Sequence, residues 1–294
     1  MEPIVTCKNL THFYGSRCIY ENLNFEIPKG RILGLLGKNG TGKTTTINIL
    51  NGYLRPTSGQ CTIFGERSDN LSPSTKQKIG LLIEGHVQYN FMNIEEIEKF
   101  YAAFYPKWDK TVYYELMRLL QIAPKQKISK MSCGQKSQVA LGLILAQNAE
   151  LLILDDFSMG LDPGYRMLFV DFLSDYAKSE EKTVFVTSHI IQDMERLIDD
   201  CMVMDYGRIL LQKPVDELMQ KFKHYSLEGN EAKKLAKIDS FYSVSKRNDN
   251  SEFYAFESPV EIQSLLQSKG ITAPNIKTRE LSLEEIFIGL TGKY

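Results

Sequence analysis

Eight consecutive residues, Gly37-Lys38-Asn39-Gly40-Thr41-Gly42-Lys43-Thr44, have the types and spacing that a chain of phosphates requires. Glycine at 37, 40 and 42 lets the backbone curl so that successive N–H groups face the phosphate oxygens. Lys43 supplies a cation for the β- and γ-phosphates, Thr44 supplies a hydroxyl for Mg²⁺, and a helix beginning near Lys43 adds its positive end. This is the chemistry of binding a nucleoside triphosphate. A second group follows about 110 residues later, where the apolar run Leu151-Leu152-Ile153-Leu154 ends in Asp155-Asp156. Asp155 at that strand end suits the water shell of a metal, and Asp156 suits orienting or deprotonating an attacking water. An aspartate pair after a buried strand also suits a loop start or a helix cap, so the phosphate loop decides the reading for Asp155.

Three further strings carry polar chemistry. Met131-Ser132-Cys133-Gly134-Gln135 precedes an apolar helical run, and Ser132 with Gln135 three residues later predicts a capping box that leaves free N–H groups at a positive helix end. Gly160-Leu161-Asp162-Pro163 reads as a turn entering a helix, with Asp162 before the proline. Ser188-His189 directly follows the apolar stretch Thr183–Val186 and Thr187.

The elements that must position these groups alternate in kind. Ile4–Leu10, Cys18–Ile27 and Gln60–Phe64 are rich in β formers and separated by turn strings such as Tyr14-Gly15-Ser16, which predicts an antiparallel edge. The apolar runs Ile32–Leu36, Leu151–Leu154, Thr183–Val186 and Met202–Met204 predict strands covered on both faces, as in a parallel sheet. Between about residues 88 and 145 the spacing becomes helical, with Ile94, Ile97, Phe100, Tyr101 and Phe104, then Val112, Leu116, Leu119 and Leu120, then Val139, Leu143 and Ala146. The expected fold is α/β: a mixed sheet with a parallel centre and an antiparallel edge, a helical insertion, and a small α+β appendage. We place the main domain at 1–221 and the appendage at 222–294. The appendage is expected to hold a hairpin around Asn248-Asp249-Asn250, a helix from Pro259 to Gln267 and a last helix introduced by Ser282-Leu283-Glu284-Glu285.

Composition narrows the function class. The 294 residues are 43% hydrophobic, and Lys plus Arg at 35 nearly balance Asp plus Glu at 36, so no general field grips nucleic acid or an anionic bilayer. No apolar run reaches the length of a membrane span, no signal-peptide pattern opens the chain, and an intracellular soluble protein is expected. Five scattered cysteines without a Cys-x-x-Cys pair read as free thiols, mostly in strands.

Taken in order, the phosphate loop, Ser-x-Gly-Gln, Leu-Leu-Ile-Leu-Asp, Gly-Leu-Asp-Pro and the Ser-His after the next strand resemble the ATPase domain of the ATP-binding cassette (ABC) family over about residues 1 to 220. The resemblance implies a P-loop NTPase core that uses ATP and Mg²⁺ and hydrolyses ATP. It implies two cassettes closing head to tail, so that each ATP lies between one subunit's residues 37–45, Thr45 included, and the other's Ser132, Gly134 and Gln135, with Asp162 at the seam. Tyr14 would stack on the adenine, and His189 would contact the γ-phosphate. As bare residues, Tyr14 equally suits packing at a sheet edge, and His189 a solvated helix cap.

Departures from the common pattern bear on mechanism. Asp156 stands where active members usually carry Glu, and its shorter side chain withdraws the carboxylate by about 1.3 Å, which predicts slower hydrolysis. Glu84 stands where the family usually carries Gln, and its oxygen still suits Mg²⁺. With Phe104–Asp109 it resembles the peptide-antibiotic exporter and bacteriocin-immunity subgroup. Met131, Cys133, Phe157 and Met159 also depart from the family's usual residues. The resemblance implies a separate integral membrane permease that docks beside Glu84, with Tyr89-Asn90-Phe91-Met92 as a candidate docking stretch. The protein would then lie at the cytoplasmic face of the cell membrane, as a homodimer more readily than a heterodimer. Two other readings are kept: a weakly hydrolytic regulatory cassette in an asymmetric dimer, motivated by Asp156, and a soluble ABC ATPase acting on nucleic acid or ribosomes. The latter is disfavoured by the balanced charge and the single cassette.

Overall fold

The computed structural model describes residues 2–83, 89–158, 160–229, 231–247, 250–271 and 275–292. Two compact units divide the chain, Met1–Leu211 and Gln212–Tyr294.

In the first unit, β1 (Pro3–Tyr14), β2 (Arg17–Pro28), β4 (Ser58–Ile63) and the short β5 (Glu66–Arg67) form an antiparallel sheet in the order β2-β1-β4-β5. A six-stranded sheet holds β10 (Arg208–Pro214), β9 (Asp200–Asp205), β3 (Ile32–Gly37), β8 (Thr183–Thr187), β7 (Leu151–Leu154) and β6 (Ile79–Leu82), in that order. From β9 to β6 the pairing is parallel. The expected mixture of parallel and antiparallel strands is present, and the antiparallel strands make a sheet of their own. The two sheets share one core: Val5, Cys7, Leu23 and Phe25 pack with Leu33, Leu35, Ile153 and Phe185, and the rings of Phe25 and Phe185 stack at 6.3 Å. Strands β3, β7, β8 and β9 are buried almost throughout, as their unbroken apolar runs require.

Helices complete the unit. α1 (Lys43–Leu50) follows the phosphate loop, and α2 (Pro73–Lys76) is a single turn capped by Ser72. The helical insertion holds α3 (Ile94–Ala102), α4 (Lys110–Leu119) and α5 (Cys133–Ala146), started by the side chains of Asn93, Asp109 and Ser132 respectively. Ile94, Ile97, Leu116, Val139 and Leu143 are buried as the spacing predicts. Phe104 is not, because it lies beyond the end of α3, and it joins Phe100, Tyr89 and Phe91 in a surface aromatic cluster. α6 (Pro163–Ser179) and α7 (Ile191–Leu197) complete the set. Gly34 in the middle of β3 admits α7: a Cβ there would lie 2.6 Å from Met194 Cε and 2.7 Å from Ile198 Cδ1.

The second unit starts at Gln212 instead of at 222, because α8 (Val215–Lys221) packs on α11 (Leu283–Thr291) within it. Its sheet runs β12 (Tyr242–Arg247), β13 (Asn250–Ala255), β11 (Lys223–Glu228), β14 (Ile276–Arg279), antiparallel at each pairing. The expected hairpin is present as the β12–β13 pair, while Asn248 and Asp249 lie outside the described residues. α9 (Ala232–Leu235) and α10 (Pro259–Ser268) join the sheet around a core of Tyr225, Leu227, Phe253, Ile262 and Leu266. Ser282 and Glu285 form the predicted capping box at α11. All five cysteines are free, four of them in strands.

Candidate functional site

Because β3, β8 and β7 run parallel side by side, their carboxyl ends open on one edge of the sheet, where ligands of such sheets are held. The phosphate loop leaves β3, Ser188-His189 leaves β8 and Asp155-Asp156 leaves β7. They line or border one cavity of about 310 Å³, whose walls include Tyr14, Arg17, Asn39, Gly40, Gly42, Lys43, Thr44, Thr45, Asp156 and His189.

The loop is held by its own side chains. Thr41 Oγ1 donates to Lys38 O at 2.9 Å, and Thr46 Oγ1 donates to Gly42 O at 2.9 Å. Gly42 has φ 103°, and a Cβ there would lie 2.8 Å from Ile19 Cγ2, so only glycine closes this turn. At Gly37 a Cβ would lie 2.9 Å from Met204 O. Lys43 Nζ donates to Gly37 O at 2.7 Å and to Lys38 O at 3.2 Å, which keeps its ammonium folded over the loop. Burial pulls the Lys43 ammonium below its usual range, and the nearby Asp156 and Asp155 oppose that shift. Lys38 points the other way, 3.8 Å from Asp205.

Asp155 is buried, and Thr187 Oγ1 donates to its Oδ1 at 2.5 Å while accepting the Asp156 N–H at 3.0 Å. Thr187 thus ties the ends of β7 and β8 together. Asp156 has φ 49°, in the left-handed region that aspartate enters more readily than most residues. Its Oδ1 accepts the His189 N–H at 3.0 Å, and its Oδ2 lies 2.8 Å from His189 Nε2. Burial pushes the Asp156 carboxyl above the ordinary aspartate range; the charge of His189 works against this and the neighbouring Asp155 adds to it. Carboxylate and imidazole form one unit facing the phosphate loop. Thr44, exposed toward the cavity, and Asp155 are hard oxygen donors, the kind that hold Mg²⁺ beside substrate phosphates and water.

Other expected site residues lie elsewhere in the unit. Ser132 and Gln135 make the predicted capping box, with Gln135 N–H donating to Ser132 Oγ at 3.2 Å and Ser132 N–H to Gln135 Oε1 at 3.1 Å. Gly134 abuts the next loop, where a Cβ would lie 2.7 Å from Gly160 O. Asp162 precedes Pro163 at the start of α6 with no side-chain cap bond. Ser132, Gly134, Gln135 and Asp162 are not among the described residues that line the cavity. Glu84 and Met159 lie outside the described residues. Arg17 and Thr187 were not singled out by sequence. Arg17 pairs with Tyr14 across the β1–β2 turn, and its Nη2 lies 3.4 Å from where a Cβ of Gly40 would stand. Its place two residues after Gly15, in the turn beside Tyr14, was the signal available.

A phosphate loop, a carboxylate pair and a histidine on one parallel-sheet edge define a P-loop nucleoside-triphosphate site. A family model described as ABC transporter matches residues 20–158. The chain is 30% identical to the bacitracin transport ATP-binding protein BcrA of Bacillus licheniformis, over 99% of this chain and 98% of that one. It is 31% identical to the lantibiotic transport ATP-binding protein SrtF of Streptococcus pyogenes, over 71% of this chain and 90% of the relative. Among solved structures, the ATP-binding cassette MJ0796 in a dimeric, post-hydrolysis state bound to ADP and Pi superposes with a TM-score of 0.63 at 21% identity, covering 72% of this chain and 98% of the other. The chain belongs to the ABC transporter family, as an ATPase cassette. The bacitracin and lantibiotic relatives agree with the peptide-antibiotic exporter and bacteriocin-immunity subgroup that Glu84 and Phe104–Asp109 resemble. Among the described residues no helix is long and apolar enough to cross a membrane.

Proposed function

We propose that this chain is the ATP-hydrolysing subunit of an exporter for peptide antibiotics or similar compounds, acting as a head-to-tail dimer at the cytoplasmic face of a membrane permease. The observation that carries the reading is the single cavity in which the phosphate loop faces the bonded Asp156 and His189, while Ser132, Gly134, Gln135 and Asp162 stand outside it. A second copy would bring those four residues to the open side of the bound nucleotide, where the free N–H groups at the start of α5 offer a positive end to the γ-phosphate.

Tyr14, half exposed at the cavity mouth, offers its ring to the adenine, and the loop from Gly37 to Thr45 cradles the phosphates. Lys43 exchanges its loop carbonyls for β- and γ-oxygens. Thr44 and Asp155, with Glu84, would hold Mg²⁺. Bound there, the ion would neutralise charge on the phosphate oxygens. Asp156 orients the attacking water and takes its proton, and His189 reports the γ-phosphate by leaving or keeping its bond to Asp156. Binding favours the closed dimer, hydrolysis releases it, and the differential affinity moves the permease. The aromatic cluster of Tyr89, Phe91, Phe100 and Phe104 supports a docking role: Phe91 is 70% and Phe104 59% exposed, a contiguous apolar surface of the kind that marks an interface. The shorter carboxylate of Asp156, already engaged by His189, favours a second reading in which this cassette hydrolyses slowly and pairs with a more active partner.

The test mixes two inactive chains. Lys43→Ala breaks the phosphate loop; Ser132→Asp keeps a good helix cap but sets a negative charge against the γ-phosphate. If sites are composite, mixing restores part of the lost ATP turnover, since one of two sites in each mixed dimer is intact. If the mixture stays at the level of the separate variants, the head-to-tail reading fails.

A further inference from the structure

In the second unit α10 covers one face of the sheet, and α11 covers only part of the other, where Gly289 abuts Tyr254. Tyr225, Leu227, Phe253 and Ala255 point to the face packed with Ile262 and Leu266 of α10. Their neighbours in each strand point the opposite way. The register aligns Arg279, His224 and Tyr254 in one row across this other face, and Lys277, Ser226 and Glu252 in the next. Arg247 lies beyond Ser245, which pairs with Glu252. These side chains enclose a cleft of about 290 Å³, close to the about 310 Å³ over the phosphate loop.

The charge in this cleft is unbalanced. Glu252 lies 3.5 Å from His224, and Glu285 at the start of α11 pairs with Arg279 at 2.7 Å. Among the described residues Arg247 and Lys277 have no acidic partner, although Glu252 stands between their strands. Two free cations, a third that one carboxylate half-engages, and the Ser226 hydroxyl make a polar concavity that offers donors and few acceptors. A folding argument alone does not call for that arrangement, since like charges on one sheet face repel.

We propose that this cleft binds a small phosphate-bearing anion of about mononucleotide size, with Arg247 and Lys277 as its principal contacts and Arg279 and Ser226 at its edge. The site is independent of the nucleotide cavity in the first unit, and gives the second unit a ligand-sensing role.

The experiment uses the full chain with Lys43→Ala, so that the phosphate loop contributes little, titrated calorimetrically with inorganic pyrophosphate and separately with AMP at low salt. Saturable binding is expected, weakened by about tenfold or more in Arg247→Gln/Lys277→Gln and unchanged in Lys237→Gln, an exposed lysine of the same unit outside the cleft. Both cleft residues are exposed, so the double variant is expected to keep its fold, which its thermal transition checks. Binding of AMP together with pyrophosphate assigns a nucleotide, and of pyrophosphate alone a free polyphosphate. No saturable binding, or equal weakening in the double and the Lys237 variants, overturns the proposal. Neither result bears on ATP turnover, so it stands or falls apart from the transport reading.

Discussion

Replacing Asp156 by Asn and by Glu separates charge from reach at the proposed catalytic carboxylate. Asn keeps an oxygen to accept the His189 N–H now held at 3.0 Å and suits the left-handed backbone at φ 49°, so the loop should stay in place. What is lost is the base, and general-base action contributes about 10²–10⁴ in rate, or roughly 3–5 kcal/mol of barrier. The expected result is a fall of at least about a hundredfold in kcat with no rise in KM for ATP. Glu restores the charge about 1.3 Å further out, toward the phosphate loop, where a displacement of that size is worth up to about a hundredfold. Against this, Glu must break or re-aim the 2.8 Å contact to His189 and enters the left-handed region less readily, at a cost of about 1–2 kcal/mol in stability. Glu is therefore expected to raise kcat while lowering the melting temperature. Steady-state phosphate release and thermal melts on the three chains read both quantities. An Asn variant as fast as the wild type would refute the assignment of Asp156 as the working carboxylate and leave the regulatory reading standing.

Gly34→Ala drives a methyl group into Met194 and Ile198 and should destabilise the first unit by about 1–3 kcal/mol, seen as a fall of roughly 2–12 °C in its melting temperature. An unchanged transition would mean that α7 yields freely. Burial holds His224 below its ordinary pKa, against Glu252; Arg279, Glu285 and Tyr254 also face it. A depressed folded-state pKa means that the unfolded chain takes the proton first, so the contribution is whole above about pH 6.5 and is lost as pH falls through the lower folded value. His224→Gln should accordingly shrink the drop in melting temperature between about pH 7.5 and about pH 5.5. Phe91→Ser with Phe104→Ser should leave ATP turnover of the free chain and its melting temperature within error, because both rings are mostly exposed, yet abolish co-purification with the proposed permease. Undiminished co-purification would remove the aromatic cluster from the interface.

The parts of the site that were legible in the sequence are those written in consecutive residues. The phosphate loop, Asp155-Asp156 and Ser188-His189 each follow an apolar run that declares a strand, the Ser132–Gln135 box precedes one that declares a helix, and parallel pairing alone brings the first three together. Arg17 and Thr187 were not legible. Arg17 reaches Gly40 because the β1–β2 hairpin brings it there, and Thr187 acts only because β7 and β8 end level, with Leu154 opposite Val186. Both depend on contacts distant in sequence, for which no local pattern exists. The division at Gln212 has a similar origin: α8 follows directly on β10 in the chain but spends its apolar face on α11, some seventy residues later.

Gly134 has no room for a side chain because the carbonyl of Gly160, in the same chain, stands 2.7 Å from where a Cβ would be. On the proposed reading the glycine is therefore demanded twice, once by the approach of a phosphate and once by the loop that carries Asp162. A cassette that had lost ATP hydrolysis would be freed from the first demand but not from the second. In comparing chains of this kind, a retained glycine at this position speaks for an intact loop packing and says nothing of catalytic competence. On the proposed reading the residue to consult for competence is Asp156, whose carboxylate faces the phosphate loop and whose replacement by Asn keeps the bond to the His189 N–H.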